Sequence, residues 1–253
     1  MTFGAAALCA AVSFADVESA NVVGYQTLPI KQSEIKMFSV QFDKVDGNPI
    51  PVKDLVSCTD FKGSSGFNNS ADQIWTYKNG EWTKYMYYAK TTTKEWRLSD
   101  AKTKVPDTAT LTSGDAFFFQ RSKDGSDTTL TLAGGVAPLT VVKPVPVAQS
   151  AIVMLANPWP TSLQLNQFDK LYDNVKGSSG FNNSADQIWT YKNGNWTKYM
   201  YYAKTTTKEW RLSDAKTAVQ DIVTIEPGEG FFFQRSKDGA DTVINFKGPD
   251  YKD

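Results

Sequence analysis

QIWTYKNGEWTKYMYY, residues 73–88 of the chain, carries the strongest structural signal in this sequence. Asn79 and Gly80 separate two runs of aromatic and β-branched residues, and Asn-Gly between such runs is the strongest short-range sign of a β-hairpin. The type I′ turn of a tight hairpin needs two positive φ angles, which asparagine and glycine adopt readily. The stretch returns at residues 187–202 with one residue changed. The sequence therefore predicts two copies of one aromatic hairpin.

The copied passage extends beyond the hairpin and belongs to a larger repeat. Residues 62–103 and 176–217 are identical at 41 of 42 positions, at a constant offset of 114. The motif FFFQRSKDG at residues 117–125 recurs at the same offset. Such a unit is too long for a solenoid repeat of about 20 to 45 residues and has the size of a domain. We therefore expect two tandem homologous domains, at residues 16–135 and 136–253.

Strand signals dominate each unit. The runs AFFFQR and TTLTLAG flank the segment SKDGSD and predict a second hairpin, while KMFSVQF and AIVMLANPW have the pattern of buried strands. Only PVKDLVSCTDF in the first unit and SLQLNQFDKLYDNV in the second show a possible helix spacing, at Leu163, Phe168, Leu171 and Tyr172 in the second. Together the signals indicate about seven or eight short strands and one short helix per unit. The prediction is an all-β protein in which each domain is a β-sandwich or a partly open barrel.

The first 15 residues have the pattern of a signal peptide. An apolar run at residues 3–14 leads to Ser13-Phe14-Ala15, a small-x-small cleavage site. The run is shorter than the roughly 20 residues that span a bilayer, so no transmembrane segment is expected in the mature chain. Cleavage would leave Cys58 as the only cysteine and exclude an intrachain disulfide. We expect a secreted bacterial protein, extracellular or at the cell surface, in which Cys58 is a small buried hydrophobe.

Composition argues against several chemistries. Lysine plus arginine (27) balances aspartate plus glutamate (27), so no strong field attracts nucleic acid. The chain has no histidine, which removes the commonest general base and metal ligand. We therefore predict no enzymatic activity, no metal and no cofactor. A carboxylate pair drawn from Asp72, Glu95 and Asp100 and a calcium loop at KDGSD are weaker alternatives to turn and surface roles.

The remaining signal is the aromatic content of the hairpins. Along WTKYMYY the side chains alternate between the two faces of a strand, and both faces carry large rings. Three interpretations stay open: packing in the core and across strands, a protein interface, or a platform for sugar rings. The candidate interface or ligand-stacking residues are Trp75, Trp82, Tyr85, Tyr87, Trp96, Trp189, Trp196, Tyr199, Tyr201 and Trp210.

Two short motifs carry a resemblance to known proteins. The first unit opens with ANVVGY at residues 20–25, and the second closes with PGEGFF at residues 227–232. The chain thus resembles a group of secreted proteins of unassigned function from planctomycete, verrucomicrobial and lentisphaeral bacteria, whose units open and close with these motifs. The first unit has SGDA at residues 113–116 in place of PGEG, and the second lacks the opening. The resemblance covers nearly the whole mature chain and implies secretion and this architecture, without a known chemistry.

The near-identity of the copies has two explanations. Recent copying of the segment needs no function, whereas a need for two equivalent surfaces is typical of a polymer or of a bivalent binder. The leading hypothesis is a secreted, non-enzymatic structural protein that forms a homo-oligomer or polymer, as a filament or layer, through its aromatic hairpins. The alternative is a bivalent carbohydrate-binding protein in which Trp82, Tyr85, Trp96 and their copies stack on a glycan.

Overall fold

The computed structural model describes residues 23–136 and 141–248, here called the first and the second repeat. The predicted signal peptide, residues 1–15, lies outside these residues. The strands of the first repeat are β1 Val23–Ile30, β2 Ile35–Ser39, β3 Ile50–Pro51, β4 Gln73–Lys78, β5 Glu81–Lys90, β6 Thr93–Leu98, β7 Thr110–Leu111, β8 Ala116–Gln120 and β9 Thr128–Gly135. Those of the second are β10 Lys143–Val147, β11 Ile152–Ala156, β12 Leu163–Gln164, β13 Gln187–Lys192, β14 Asn195–Lys204, β15 Thr207–Leu212, β16 Thr224–Ile225, β17 Gly230–Gln234 and β18 Thr242–Phe246.

Each repeat is a β-sandwich. Its main layer is a five-stranded antiparallel sheet, in the order β2-β8-β4-β5-β6 in the first repeat and β11-β17-β13-β14-β15 in the second. The two-stranded ribbons β1-β9 and β3-β7, and their counterparts β10-β18 and β12-β16, supply the opposite layer. One apolar core in each repeat joins the two layers. The all-β prediction is confirmed, and the layers stay separate in hydrogen bonding, as in a sandwich.

The aromatic hairpins form as predicted. β4 pairs with β5 up to Lys78 and Glu81, and β13 pairs with β14 in the same register. The two turn residues have positive φ in both copies: 53° at Asn79 and 83° at Gly80, then 51° at Asn193 and 79° at Gly194. Positive φ at both central positions is what a type I′ turn requires.

The second predicted hairpin is wrong. β8 pairs with β2 and β4, whereas β9 pairs with β1 in the opposite layer. Phe117 and Phe119 of β8 and Leu130 and Leu132 of β9 are buried in one core. They reach it from opposite sides, so the turn SKDGSD crosses between layers and does not close a hairpin. The pattern of alternating apolar residues is the same in both cases and does not reveal which layer a strand joins.

The helical signals correspond to short 3-10 helices, at Val52–Asp54 and Leu165–Leu171. In the second of these, Leu165 and Phe168 point into the core. Each repeat has nine strands among the described residues, slightly more than expected. No helix in the described ranges has the length and apolar character to cross a membrane.

The two five-stranded sheets pack against each other through the faces that point away from their own cores. On β8, Phe117 and Phe119 point inward while Phe118 points outward, because neighbouring side chains of a strand alternate. Phe118 belongs to a third apolar cluster, which draws residues from both repeats. This packing brings the two aromatic hairpins together.

Candidate functional site: the aromatic seam between the repeats

The third cluster is called here the seam. Its buried members are Met37, Ala116, Phe118, Met154, Ala156 and Phe232, and its partly buried members are Ile35, Trp75, Tyr77, Ile152, Trp189 and Tyr191. Residues at equivalent positions of the two repeats occur together in this set. Two copies of one sheet face therefore mate with each other across an approximate twofold axis.

Six of the ten candidate residues lie on the inner faces of the sheets and not in the seam. Five of them are at most 8% exposed, and Tyr87 packs partly buried against the same core. Their rings pair within the core, for example Tyr87 with Trp96 at 5.4 Å between centroids. Their proposed role as ligand-stacking rings is thereby corrected, because the second layer covers the faces they would offer. The six residues are Tyr85, Tyr87, Trp96, Tyr199, Tyr201 and Trp210.

The other four candidates, Trp75, Trp82, Trp189 and Trp196, lie on the outer faces. Trp82 and Trp196 are each 45% exposed. The Trp82 ring packs on Phe232 of the second repeat at 6.0 Å, and the Trp196 ring packs on Phe118 of the first at 6.2 Å. Each hairpin thus contacts the other repeat while leaving part of an indole open to a partner.

Further ring contacts also join residues of one repeat to residues of the other. Tyr77 meets Phe232 at 5.5 Å, and Tyr191 meets Phe118 at 5.5 Å. Phe118 and Phe232 lie 6.4 Å apart at the centre. Sequence reasoning missed these two phenylalanines, although the middle ring of an FFF strand must face away from the core that its neighbours fill. That alternation is the signal that could have found them.

Backbone hydrogen bonds join the repeats at the edges of the seam. The Ser39 amide donates to the Gly228 carbonyl at 2.9 Å, and the Ala156 amide donates to the Gly114 carbonyl at 2.8 Å. Both glycines have positive φ, 90° at Gly228 and 99° at Gly114. The closing motif PGEG and its counterpart SGDA therefore form turns that bond to the other repeat.

One ion pair also crosses between the repeats. The Lys143 ammonium lies 2.9 Å from an Asp43 carboxylate oxygen, and both side chains are 17% exposed. Burial acts to raise the pKa of Asp43, but hydrogen bonds from Thr112, Ser113 and Lys143 outweigh it and lower that pKa. Asp43 is therefore ionised at neutral pH and holds the start of β10 against the first repeat.

A cavity of about 250 Å³ opens at the seam. Lys198, on its rim, places its ammonium 4.5 Å from the centroid of Trp189. Lys84 stacks on Trp75 in the first repeat at 4.2 Å. The side chains that matter for its chemistry are Tyr77, Trp82, Trp189, Trp196, Lys198 and Phe232.

Each repeat buries an arginine that the sequence analysis did not identify. Arg121 is fully buried and lies 2.7 Å from Asp72 and 2.7 Å from Asp60. A Cβ atom on Gly125 would come within 2.7 Å of the guanidinium, so glycine is required there. The repeated QRSKDG motif is the signal, since it contains the arginine and the glycine that makes room for it. Asp72 is thus a buried structural carboxylate, which corrects its interpretation as a turn or surface charge.

The second repeat builds the same centre differently. Arg235 lies 2.7 Å from Asp186, and its other side donates to the Asn174 carbonyl at 2.9 Å. The Tyr172 hydroxyl donates to Asp186 at 3.0 Å. Burial, with the nearby Asp186 charge, raises the pKa of Tyr172 well above its ordinary value, so it remains a donor. These buried groups satisfy one another and offer no open face to a substrate.

The other carboxylates considered from the sequence do not converge. Asp100 accepts hydrogen bonds from Thr103 and Lys102 within its own turn, which holds its pKa at about 2. Glu95 pairs with Arg97 and Lys104. Among the described residues no group of three or more His, Cys, Asp or Glu side chains could hold a metal, the KDGSD loop included.

Cys58 is only partly buried and is a free thiol. Its sulfur lies 3.0 Å from an Asp60 carboxylate oxygen and 3.3 Å from the Thr128 hydroxyl. Burial raises the pKa of the thiol, which disfavours the reactive thiolate at neutral pH.

The cavity at the seam is thus lined by aromatic rings, one aliphatic side chain and one ammonium. A scan against protein-family models gives no match, and a search of curated proteins finds no relative of this chain.

Proposed function

We propose that this protein is a secreted, non-enzymatic structural protein that assembles with copies of itself, as a filament or layer at or outside the cell surface. One observation carries the proposal: the outer face of each repeat binds a near-copy of itself. The ring contacts of Phe118 with Tyr191 and of Phe232 with Tyr77 are equal, at 5.5 Å each. A surface that recognises its own copy within a chain can recognise it equally in another chain.

Exchange of repeats between chains is the route this geometry supports. The same seam forms when the first repeat of one molecule mates with the second repeat of another, and exchanging an identical element costs little free energy. Residues 136–142 connect β9 to β10. Seven residues reach at most roughly 25 Å when extended, which sets the largest separation between repeats that such an exchange could bridge.

One position disfavours contact between two first repeats. A Cβ atom on Gly230 would lie 2.6 Å from the Cβ atom of Ala116. Two first-repeat faces would place alanine against alanine at this point, and they would clash in the same geometry. A first repeat mating with a second repeat fits, as it does within one chain, and molecules joined in this way add head to tail and leave the ends of the assembly open.

The experiment is light scattering on the purified mature protein over a wide range of concentration, with negative-stain imaging of the same samples. We expect mass to grow with concentration and ordered polymers to be visible. The matched variants are Trp82→Ala with Trp196→Ala, which remove two partly exposed rings that pack on the seam, and Ile222→Ala, which removes an 87% exposed apolar side chain away from it.

The double tryptophan variant should stay monomeric while Ile222→Ala assembles like the parent. Circular dichroism of the variants shows whether each is folded. A parent protein that remains strictly monomeric at every concentration would overturn the proposal. Polymers of unchanged yield from the folded tryptophan variant would overturn the role of the seam.

A second candidate function is binding of carbohydrate, which the seam cavity favours because aromatic faces line it. The candidate stacking rings are then Trp82 and Trp196, since Tyr85 and Trp96 are core residues. A glycan array probed with the parent and with Trp196→Ala tests this. Absence of binding to any glycan, or equal binding by the variant, would remove the candidate.

A further inference from the structure

The cavity at the seam has a one-sided hydrogen-bonding character. The lining side chains that carry polar groups are Tyr77, Trp82, Trp189, Trp196 and Lys198, and the indole N–H of Trp189 already donates to Gln187. An ammonium and an indole N–H only donate hydrogen bonds, and a tyrosine hydroxyl donates or accepts. A ligand that fits must therefore be rich in acceptors, as an anionic group is.

The charge at the cavity also favours an anionic ligand. Lys198 is its one charged lining side chain, and no carboxylate within the described residues forms an ion pair with it. Its ammonium already rests over the Trp189 ring, at 4.5 Å. An exposed ammonium above an aromatic wall attracts an anion while the wall contacts an apolar surface.

The volume of the cavity and its aromatic lining limit which ligand can fit. A volume of 250 Å³ lies below the roughly 300–1,000 Å³ of pockets that enclose a whole small molecule, so the cavity holds about one ring. The π face of Trp196, which is 45% exposed, carries partial negative charge, to which the C–H face of a sugar ring is complementary. Since the cavity is open, a longer chain can enter and leave it on either side of that ring.

From these features we infer that the seam cavity binds one anionic sugar unit of a polysaccharide, with the ring against Trp196 and the acidic group on Lys198. This inference rests on the carbohydrate-binding candidate and is independent of self-assembly. Neutral sugars are poorer ligands, because their hydroxyl groups find donors in the cavity but few acceptors.

The experiment measures quenching of tryptophan fluorescence and heat of binding with four probes: oligomers of a hexuronic acid, sulfated hexose oligomers of the same length, neutral hexose oligomers and benzoate. Lys198→Gln should weaken binding of the acidic oligomers about fivefold, the size of an exposed ion pair. Trp196→Ala should weaken it about tenfold, as the loss of a stacking ring does elsewhere. Binding to the acidic oligomers should also fall with added salt.

The matched control is Lys84→Gln, which removes the same stacked ammonium from the first repeat at a position that does not line the cavity. It should bind like the parent. Uronate binding or sulfate binding that depends on Lys198 supports the inference and identifies the acidic group. Equal affinity for neutral oligomers keeps carbohydrate binding but overturns the anionic class. If benzoate binds more tightly than the acidic oligomers, the ligand is not a sugar. If no probe binds, both the sugar ligand and its anionic class are overturned.

Discussion

The two repeats are nearly identical in their hairpins and differ around their buried arginines. In the first repeat the guanidinium lies between two carboxylates, and in the second a backbone carbonyl, that of Asn174, takes the place of the Asp60 carboxylate. Tyr172 occupies the position of Cys58 and adds a hydroxyl donor to the remaining carboxylate. The ion pair itself is therefore the shared requirement, while its neighbours can change as long as the buried donors and acceptors around it have partners.

The largest expected effect comes from removing these arginines. Arg121→Leu and Arg235→Leu should each lower the free energy of unfolding by about 3–5 kcal/mol, because each leaves a fully buried carboxylate without its cation. The loss should be larger for Arg121→Leu, since two carboxylates then lose their counter-charge and no tyrosine hydroxyl helps. Urea unfolding followed by tryptophan fluorescence measures both.

Arg211→Leu is the control for these variants. Its guanidinium stacks on Tyr202 at 3.6 Å near the surface, and its loss should cost about 1 kcal/mol or less. If Arg235→Leu lowers the free energy of unfolding more than Arg121→Leu does, the expectation from the number of carboxylates beside each arginine is contradicted.

The hairpins could be predicted from the sequence, whereas the arginine centres could not. Local signals were sufficient for the hairpins, because Asn79-Gly80 determines its turn by its own backbone preference. Arg121 and Asp72 are far apart in sequence, and nothing in the spacing of QRSKDG reveals that its arginine turns inward. The seam was missed for a similar reason: periodicity shows that β5 has rings on both faces but not which face meets the second layer and which meets the other repeat.

A second difference lies at the centre of the seam, where Ala116 in the first repeat corresponds to Gly230 in the second. The added Cβ of Gly230→Ala would meet Ala116 at 2.6 Å and Met37 at 2.8 Å, so it should cost about 1–3 kcal/mol. Combining it with Ala116→Gly exchanges the two residues and should recover most of that loss. A double-mutant cycle from thermal or urea unfolding measures the coupling. Additive effects of the two changes would mean that the repeats do not touch at this point.

The third difference is the ion pair between the repeats. Lys143 of β10 reaches Asp43, whereas Gln26, its equivalent in β1 at an offset of 117, is neutral. Asp43→Asn should lower the free energy of unfolding by about 1–2 kcal/mol at pH 7, because it weakens the charged hydrogen bonds of this carboxylate. Lys143→Gln serves as the matched change on the other partner.

The pH dependence of this link has a definite sign. The pKa of Asp43 is lower in the folded protein, so its stabilising contribution is complete above the unfolded value of about 4 and is lost as the pH falls through the folded value. The parent should therefore lose more stability than Asp43→Asn between pH 7 and pH 2. Parallel curves for the two proteins would show that the charge of Asp43 does not stabilise the fold.

The smallest expected change in stability concerns the first strand of each repeat. Pro29 is within the β1-β9 ladder and lacks an N–H group. The side of its backbone that carries the nitrogen must therefore face away from β9. Lys36 donates to the Pro29 carbonyl at 3.4 Å on this outer side. Thr27 is two residues away, and its N–H group points the same way. At the equivalent position β10 has Pro144, which offers no donor.

Thr27→Pro should therefore keep every ladder bond of β1 and change the free energy of unfolding by less than about 1 kcal/mol. Its effect should appear in association: sedimentation velocity should show less side-by-side pairing of molecules, because the outer edge of β1 then lacks a donor. Pro144→Thr makes the opposite change in β10 and should increase pairing. Association that is unchanged in both variants would mean that head-to-tail contacts through the seam act alone, and that the prolines of β10 serve only to stiffen the strand.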